Sequence, residues 1–314
     1  MRRSCLGRSG LTTGAVALGT LTWGTRTPPD EARGLLARFL DAGGDLVDTA
    51  HTYGDGASET ILGGLLADVG RDAVTVCTKA GISRTSGRRV VDVSRRGLMA
   101  QLDTSLARLA TDHVDLWLAH TWSDSVPLEE TIGALEWAWR SGRARYVGVS
   151  NYAGWQLARA YSLAETARMP LVADQVEYSL LERVPEHELV PAAASLGVGL
   201  MAWSPLGGGI LTGKYRDSTP ADSRGASAAF AGMVQSRLGE ANRGVVDAVG
   251  TAARGLETTP AALSLAWLLA RPAVACAVVG CRTERQLAQV LVGLDTVVPN
   301  EIRLALDEVS LGSL

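Results

Sequence analysis

Short apolar runs of strand length alternate along the chain with longer segments of helical periodicity. A short apolar run bounded by turn residues predicts a buried strand, whereas apolar residues that recur every three or four positions predict an amphipathic helix. The predicted strands are 14–20, 45–50, 73–80, 114–120, 144–151, 171–178, 198–205 and 274–280. The predicted helices are 29–42, 59–69, 94–110, 128–141, 155–167, 186–196, 260–270 and 283–294.

Eight strand and helix units in this order predict a parallel sheet that closes into a (β/α)8 or TIM barrel, an α/β fold. An N-terminal β-hairpin should precede the first barrel strand. The largest insertion, 206–242, predicts a long, mobile loop after the seventh strand that lies over one mouth of the barrel, and the conformation of residues 216–241 stays open. We expect a single barrel domain over residues 1–314. An open Rossmann-like sheet is the alternative, but no predicted strand leads into a GxGxxG turn.

Composition narrows the possible function classes. The 314 residues are 46% hydrophobic with a mean hydropathy of +0.11, enough for a large core. A net charge of −3 with interspersed charges argues against a nucleic-acid partner. No run reaches the ~18 to 20 apolar residues of a membrane span, so we expect no membrane insertion. The N-terminal apolar segment fits a hairpin and strand better than a secretion signal. Four cysteines without a CxxC pair favour reduced thiols and a cytoplasmic location, and the oligomeric state stays open.

Reactive residue types cluster at the carboxyl ends of the predicted strands, where barrel enzymes build active sites. Asp48 ends the second strand, Tyr53 follows it, Lys79 ends the third and His120 ends the fourth. A tyrosine can supply the proton that a carbonyl oxygen needs during reduction, and a neighbouring ammonium should lower its pKa. A carboxylate would keep the lysine charged, and His120 would orient the substrate oxygen. Lys79 and Lys214 are the only lysines among 30 basic residues.

Segments in a fixed order resemble the aldo-keto reductase family over almost the whole chain. These segments are LGRSGL at 6–11, DTAHTYGDGASE at 48–59, CTKAG at 77–81, SLARLATDHVDLWLAH at 105–120, GRARYVGVSNY at 142–152, QVEYSLLER at 175–183, WSPLGGGILTGKY at 203–215 and VVGCRTERQL at 278–287. The resemblance implies an enzyme that uses NADPH (NADP+ in the reverse direction) to reduce a small-molecule aldehyde, ketone or sugar carbonyl. It implies Asp48, Tyr53, Lys79 and His120 as the catalytic tetrad.

The resemblance also implies a cofactor site. Its residues would be Gly19, Thr20, Trp23, Ser150, Asn151, Gln175, Trp203, Ser204, Pro205, Leu206, Gly208, Lys214, Gly280, Arg282 and Gln286. Trp203 stands where Tyr is more common in the family and keeps an aromatic face. Gln289 and Val290 replace the family's common Glu-Asn pair, which bears on adenine contacts and on the preference for NADPH.

Three other interpretations of the motifs are a P-loop, a hydrolase site and a regulatory subunit. Residues 208–214 fit GxxxxGK, but Tyr215 stands where a P-loop needs a Ser or Thr hydroxyl for Mg²⁺. No HExxH, GxSxG or clustered Cys/His motif points to a metal or serine hydrolase. A resemblance to potassium-channel β-subunits leaves a cofactor-sensing regulatory subunit as the alternative to a reductase.

The substrate is the least determined feature. Trp23, Trp122 and Tyr178 are expected to line the mouth, although core packing explains each of them equally well. Arg84, Arg88 and Arg89 after the third strand either bind a diphosphate or form a solvated face. The resemblance to bacterial relatives that act on nucleotide-linked deoxysugars makes such a sugar one possible substrate.

Overall fold

A computed structural model describes residues 1–85, 87–228 and 230–313. The strands in these ranges are β1 (Arg3–Cys5), β2 (Thr12–Gly14), β3 (Val16–Gly19), β4 (Leu46–Asp48), β5 (Thr75–Ala80), β6 (Ile82–Thr85), β7 (Arg88–Val91), β8 (Val114–Ala119), β9 (Ala144–Ser150), β10 (Leu171–Glu177), β11 (Gly199–Trp203) and β12 (Val274–Val279). The eight strands β3, β4, β5, β8, β9, β10, β11 and β12 form a closed parallel barrel. The predicted (β/α)8 fold is therefore confirmed.

Helices surround the barrel. They are α1 (Pro29–Asp41), α2 (Ala57–Val69), α3 (Arg95–Leu109), α4 (Leu128–Arg140), α5 (Gly154–Thr166), α6 (Leu189–Leu196), α7 (Ala231–Gln235), α8 (Glu240–Gly255), α9 (Pro260–Leu269), α10 (Glu284–Leu291) and α11 (Asn300–Val309). The predicted helices correspond to α1–α6, α9 and α10. Helices α7, α8 and α11 were not predicted, and α7 lies inside the segment that was expected to be a loop. In the described part of the chain, no helix has the length and apolar character that a membrane crossing requires.

The predicted N-terminal hairpin is present and closes the bottom of the barrel. β1 pairs antiparallel with β2, and Leu6 between them is fully buried. Gly7 in the hairpin turn has φ +60°, and a Cβ there would lie 2.6 Å from the carbonyl oxygen of Gly197. The backbone N–H of Arg8 donates to the same oxygen at 2.7 Å. Only glycine permits this close approach of hairpin and barrel.

Alternation along the strands places the functional residues. Successive side chains of a strand point to opposite faces, so every second residue points into the barrel. The lower inward positions form an apolar plug that includes Leu46, Cys77, Leu118, Ala173 and Met201. The next inward positions toward the carboxyl end are Asp48, Lys79, His120, Gln175 and Trp203, two residues further along each strand. The barrel interior therefore changes from apolar to polar at this end.

A second hairpin, not predicted from the sequence, stands at the same end. β6 pairs antiparallel with β7, and the backbone N–H of Asp92 donates to the carbonyl of Gly81 at 3.0 Å. This bond closes the base of the hairpin directly after β5, the strand that carries Lys79.

Candidate active site

Lys79 is the centre of a buried hydrogen-bond network. Its ammonium donates to Asp48 Oδ2 at 2.8 Å, to the carbonyl of Thr49 at 2.8 Å and to the phenolic oxygen of Tyr53 at 3.3 Å. The Lys79 side chain is fully buried. A fully desolvated ammonium needs a paired charge and satisfied donors, and these three acceptors provide both. The structure thus brings together the three residues of the predicted acid relay.

Burial and neighbouring charges act in opposite directions on the pKa of Lys79. Burial pulls the pKa of Lys79 down, but the Asp48 carboxylate and the Tyr53 side chain outweigh burial and hold that pKa above its usual value. Lys79 therefore stays an ammonium at neutral pH.

Tyr53 departs from the expectation that its pKa is lowered. Burial raises the pKa of the phenol, and the opposing effect of Lys79 does not overcome it. The expected net lowering is wrong, because desolvation disfavours the phenolate more strongly than one ammonium favours it. Tyr53 therefore carries its proton throughout the neutral pH range.

His120 is neutral as well. Burial and the charges of Lys79 and Arg89 hold the pKa of its imidazole well below the usual value. Its ring packs edge-on against Tyr53 with ring centres 6.0 Å apart. Nδ1 is buried and has no hydrogen-bond partner in the described part of the chain. A neutral imidazole can donate one hydrogen bond to a substrate oxygen without bringing a charge.

An ion pair supports the turn that carries Tyr53. Arg108 on α3 donates to Glu59 Oε2 at 3.1 Å and to the carbonyl of His51 at 3.0 Å, while Thr78 donates to Glu59 Oε1 at 2.7 Å. Gly56, with φ +99°, packs on the Arg108 guanidinium, and a Cβ there would lie 2.2 Å from its Cζ. Sequence reasoning missed this pair, because its partners lie 49 residues apart in the chain.

Hydrogen bonds connect the tetrad to polar side chains on the neighbouring strands of the barrel. Gln175 donates to Asp48 Oδ1 at 2.7 Å, Trp203 donates through Nε1 to Asn151 Oδ1 at 3.0 Å, and Asn151 donates to the carbonyl of His120 at 2.9 Å. Asn151 and Ser204 have φ values of +61° and +55°, a region that non-glycine residues rarely occupy. Such conformations gather at functional sites, where surrounding contacts hold them.

A cavity of about 660 Å³ opens above these residues. Its lining includes most of the predicted site: Gly19, Thr20, Asp48, Tyr53, His120, Ser150, Asn151, Gln175, Trp203, Ser204, Pro205, Leu206, Gly208, Lys214, Gly280, Arg282 and Gln286. Lys79 lies beneath the lining. The residues that line the cavity range from the tetrad to the first turn of α10, so a ligand of dinucleotide size would find contacts at both.

Cations gather at the end of the cavity away from the tetrad. Burial, together with the charges of Arg224 and Arg282, holds the pKa of Lys214 below its usual value, and Arg26 and Arg282 act in the same direction on Arg224. Mutual repulsion of this kind favours binding of an anion between the cations. Arg285, at the N-terminal turn of α10, also lines this end. The chemistry of these donors fits the phosphates of a nicotinamide dinucleotide. Arg224 and Arg285 were not predicted, because no strand-end position marked them.

A segment of the long loop crosses this end of the cavity. Arg26 donates to the carbonyls of Asp222 and Ser223 at 2.9 and 3.0 Å, and Arg282 donates to the carbonyl and the side chain of Asp222. We call residues 220–224 the strap. The strap joins the loop after the first barrel strand to the loop after the last, over the cationic end.

Three aromatic residues that were expected to line the mouth are absent from the lining of this cavity. Trp23 and Tyr178 are fully buried, and Tyr178 packs against Trp267 while donating to Glu186 at 2.8 Å. Trp122 packs edge-on against Tyr152 and Trp155 beside the mouth. The assignments of Trp23 and Tyr178 to the mouth, and of Trp23 to the cofactor site, are wrong for the cavity in this structure, because core packing takes their rings. Trp122 is also absent from its lining.

The comparisons with known proteins agree with this geometry. The model of the aldo/keto reductase family matches residues 14–310. An uncharacterized oxidoreductase of Bacillus subtilis, YrpG, is 35% identical over 98% of this chain and 96% of its own. A probable voltage-gated potassium channel subunit beta of Oryza sativa is 34% identical over 95% and 92%. An L-glyceraldehyde 3-phosphate reductase of Escherichia coli is 32% identical over 95% and 89%.

Proposed function

The chain belongs to the aldo/keto reductase family and is an oxidoreductase with a nicotinamide cofactor; from this premise we propose that it reduces an aldehyde, ketone or sugar carbonyl with NADPH, using Tyr53 as the general acid. The observation that carries the proposal is the contact between Lys79 and the Tyr53 hydroxyl, with Asp48 fixing the ammonium from the other side.

Tyr53, Lys79 and His120 have separate roles in the proposed carbonyl reduction. The bound nicotinamide supplies the hydride. Tyr53 keeps its proton until negative charge develops on the carbonyl oxygen, and then donates it, because an alkoxide is a stronger base than a phenolate. Lys79 stabilises the phenolate that Tyr53 becomes. Neutral His120 holds the carbonyl oxygen by a hydrogen bond.

The cationic end of the cavity supports NADPH as the cofactor. Lys214, Arg224 and Arg282 would hold the diphosphate and the 2′-phosphate, and Gln286 would flank the adenosine. Trp203 presents an aromatic ring beside the tetrad on which the nicotinamide would stack. Gln175 and Asn151 would hold the carboxamide, and Gln175 also contacts Asp48.

A tyrosine variant tests this function. Tyr53→Phe removes the acid and leaves the cofactor contacts in place, so turnover should fall by about 10² to 10⁴ while the Kd for NADPH stays nearly unchanged. Tyr161→Phe, on α5 outside the cavity lining, is the matched control. The measurements are NADPH oxidation against a panel of aldehydes, ketones and sugars, and NADPH binding by fluorescence.

Two results would contradict the proposal. If the wild-type protein oxidises NADPH with no carbonyl of the panel, the reductase function is rejected, and the cofactor-sensing alternative gains support. If Tyr53→Phe keeps more than about a tenth of wild-type turnover, Tyr53 is not the acid.

A further inference from the structure

The hairpin of β6 and β7 carries three arginines and no acidic residue. Among residues 1–85, 87–228 and 230–313, none provides a hydrogen-bond or ion-pair partner for Arg84, Arg88 or Arg89. Several other arginines of this protein are paired with carboxylates, as with Arg71 and Arg145, which share Asp115. The hairpin therefore holds concentrated positive charge without internal compensation.

The register of the hairpin shows which arginines face the barrel. Arg84 pairs with Arg89, and Ile82 pairs with Val91. Residues two apart on a strand and residues paired across strands share one face, so these four side chains lie on the same face. Val91 packs against the main core, so this face is turned toward the barrel. Arg88 shares the opposite face with Val90, which is 39% exposed.

Arg89 is close enough to the tetrad to affect it electrostatically, and Arg84 lies directly across the hairpin from Arg89. Besides burial and Lys79, the charge of Arg89 contributes to the lowered pKa of His120. The base of the hairpin also follows β5 directly, through the bond between Asp92 and Gly81. Arg84 and Arg89 thus lie on a hairpin next to the tetrad, just outside the residues that line the cavity.

Like charges directly opposite one another across two strands destabilise a hairpin. The Arg84–Arg89 pair pays this penalty in the free protein, and an anion between the two guanidinium groups would remove it. A phosphate ester carries about −1.5 to −2 at neutral pH and matches two guanidinium groups in charge and in bidentate geometry. A carboxylate carries half that charge.

We propose that Arg84 and Arg89 clamp a phosphate or diphosphate group of the carbonyl substrate. The proposal rests on the proposed reductase function and narrows it to phosphorylated carbonyl compounds. The clamp lies on the His120 side of the tetrad, apart from the cations at the strap. Of the three arginines, only Arg88 then belongs to a face that simply contacts solvent.

Glycolaldehyde and glycolaldehyde phosphate test the clamp, because both carry the same aldehyde group and only the second carries a phosphate. The wild-type kcat/KM should be higher for the phosphate ester. Arg84→Gln and Arg89→Gln should each lower the ratio of the two kcat/KM values by about tenfold to a hundredfold, mainly through KM, as expected for charge-assisted hydrogen bonds. Arg88→Gln should leave the ratio unchanged. All three side chains are exposed, so folding should be unaffected. An unchanged ratio in Arg84→Gln and Arg89→Gln would overturn the clamp.

A binding measurement separates failure of the clamp from failure of the reductase function. Inorganic phosphate and pyrophosphate are titrated calorimetrically into the protein saturated with NADP+, so that the cofactor's own phosphate contacts are occupied. Binding that is lost in Arg84→Gln and Arg89→Gln but kept in Arg88→Gln supports the clamp even if neither aldehyde is reduced. Tighter binding of pyrophosphate indicates a diphosphate ester, and tighter binding of phosphate a monoester. Equal binding by the wild type and all variants overturns the proposal.

Discussion

Asp174 is a buried carboxyl group that should limit the stability of the protein as the pH rises. It points outward from β10, and its neighbours across the sheet, Val149 and Leu200, belong to the apolar layer under the helices. Neither carboxyl oxygen has a hydrogen-bond partner among the described residues. Burial raises the pKa of Asp174 to about 8, and the nearby Tyr152 backbone N–H only partly opposes this. Asp174 should therefore be protonated in the folded protein at neutral pH.

The size of the effect follows from proton linkage. The unfolded chain releases this proton near pH 4, whereas the folded protein keeps it to about pH 8. Between these values the folded state binds one more proton, so the free energy of unfolding falls by about 1.4 kcal/mol per pH unit as the pH rises. The loss attributable to Asp174 is thus about 4 kcal/mol at pH 7 and saturates near 6 kcal/mol above pH 8.

Asp174→Asn removes the proton equilibrium and keeps the shape of the side chain. The variant should gain stability relative to wild type as the pH rises from 5 to 8, with a difference curve that climbs by about 1.4 kcal/mol per unit and flattens near pH 8. The amide is as poorly partnered as the protonated acid, so the two proteins should converge near pH 4. Urea unfolding across this pH series measures the difference.

Asp217→Asn, which removes the same formal charge from an exposed site, is the control. It should not reproduce the climbing difference curve. Parallel stability curves for wild type and Asp174→Asn would refute the reasoning, because they would mean that Asp174 binds its proton equally well in the folded and unfolded states.

The remaining predictions concern the site. Lys79→Arg keeps the charge but cannot fit a planar guanidinium between Asp48 and Tyr53, so turnover should fall about 10²-fold while NADPH still binds; near-normal turnover beside an unchanged melting temperature would show that charge alone suffices. Arg282→Ala should weaken NADPH more than NADH, because only NADPH carries a 2′-phosphate; equal losses in the two Kd values would reject that role. Gly56→Ala should lower turnover by pushing against Arg108 beneath the Tyr53 turn, whereas Gly70→Ala, with a similar φ of +88° and nothing within 4 Å, should lower only the melting temperature; equal turnover in both would contradict the supporting role of Arg108.

The barrel and the clustering of the four tetrad residues could be predicted from the sequence. The alternation of strands and helices indicates the barrel, and residues at the carboxyl ends of its strands come together. Asp48 and Lys79 occupy the last inward positions of β4 and β5, His120 directly follows β8, and strand ends meet whenever the barrel closes. Trp23 and Tyr178 also follow strand ends, but whether a ring turns to the cavity or to the core depends on packing from distant segments. Sequence alone does not contain that information.

Other features lacked a local signal. Helix α8 contains Gly244 and Gly250, which weaken its helical pattern, and α11 buries only Leu306. The net direction of the Tyr53 pKa shift depends on the balance of burial against Lys79, and burial is a property of the folded chain. Arg224 reaches the cavity from the long loop, whose path no periodic pattern describes.

Because the chain has only two lysines, a single side-chain amine can be labelled selectively. Lys79 is sealed inside the barrel, so apart from the terminal amine, Lys214 is the side-chain amine open to a reagent. Burial and the neighbouring Arg224 and Arg282 lower the pKa of Lys214, which raises the share of free, nucleophilic amine at neutral pH. An amine-selective acylating reagent should therefore label one internal position, and a bound dinucleotide should shield it. Mass spectrometry of the labelled protein would then count occupied cofactor sites without any substitution in the chain.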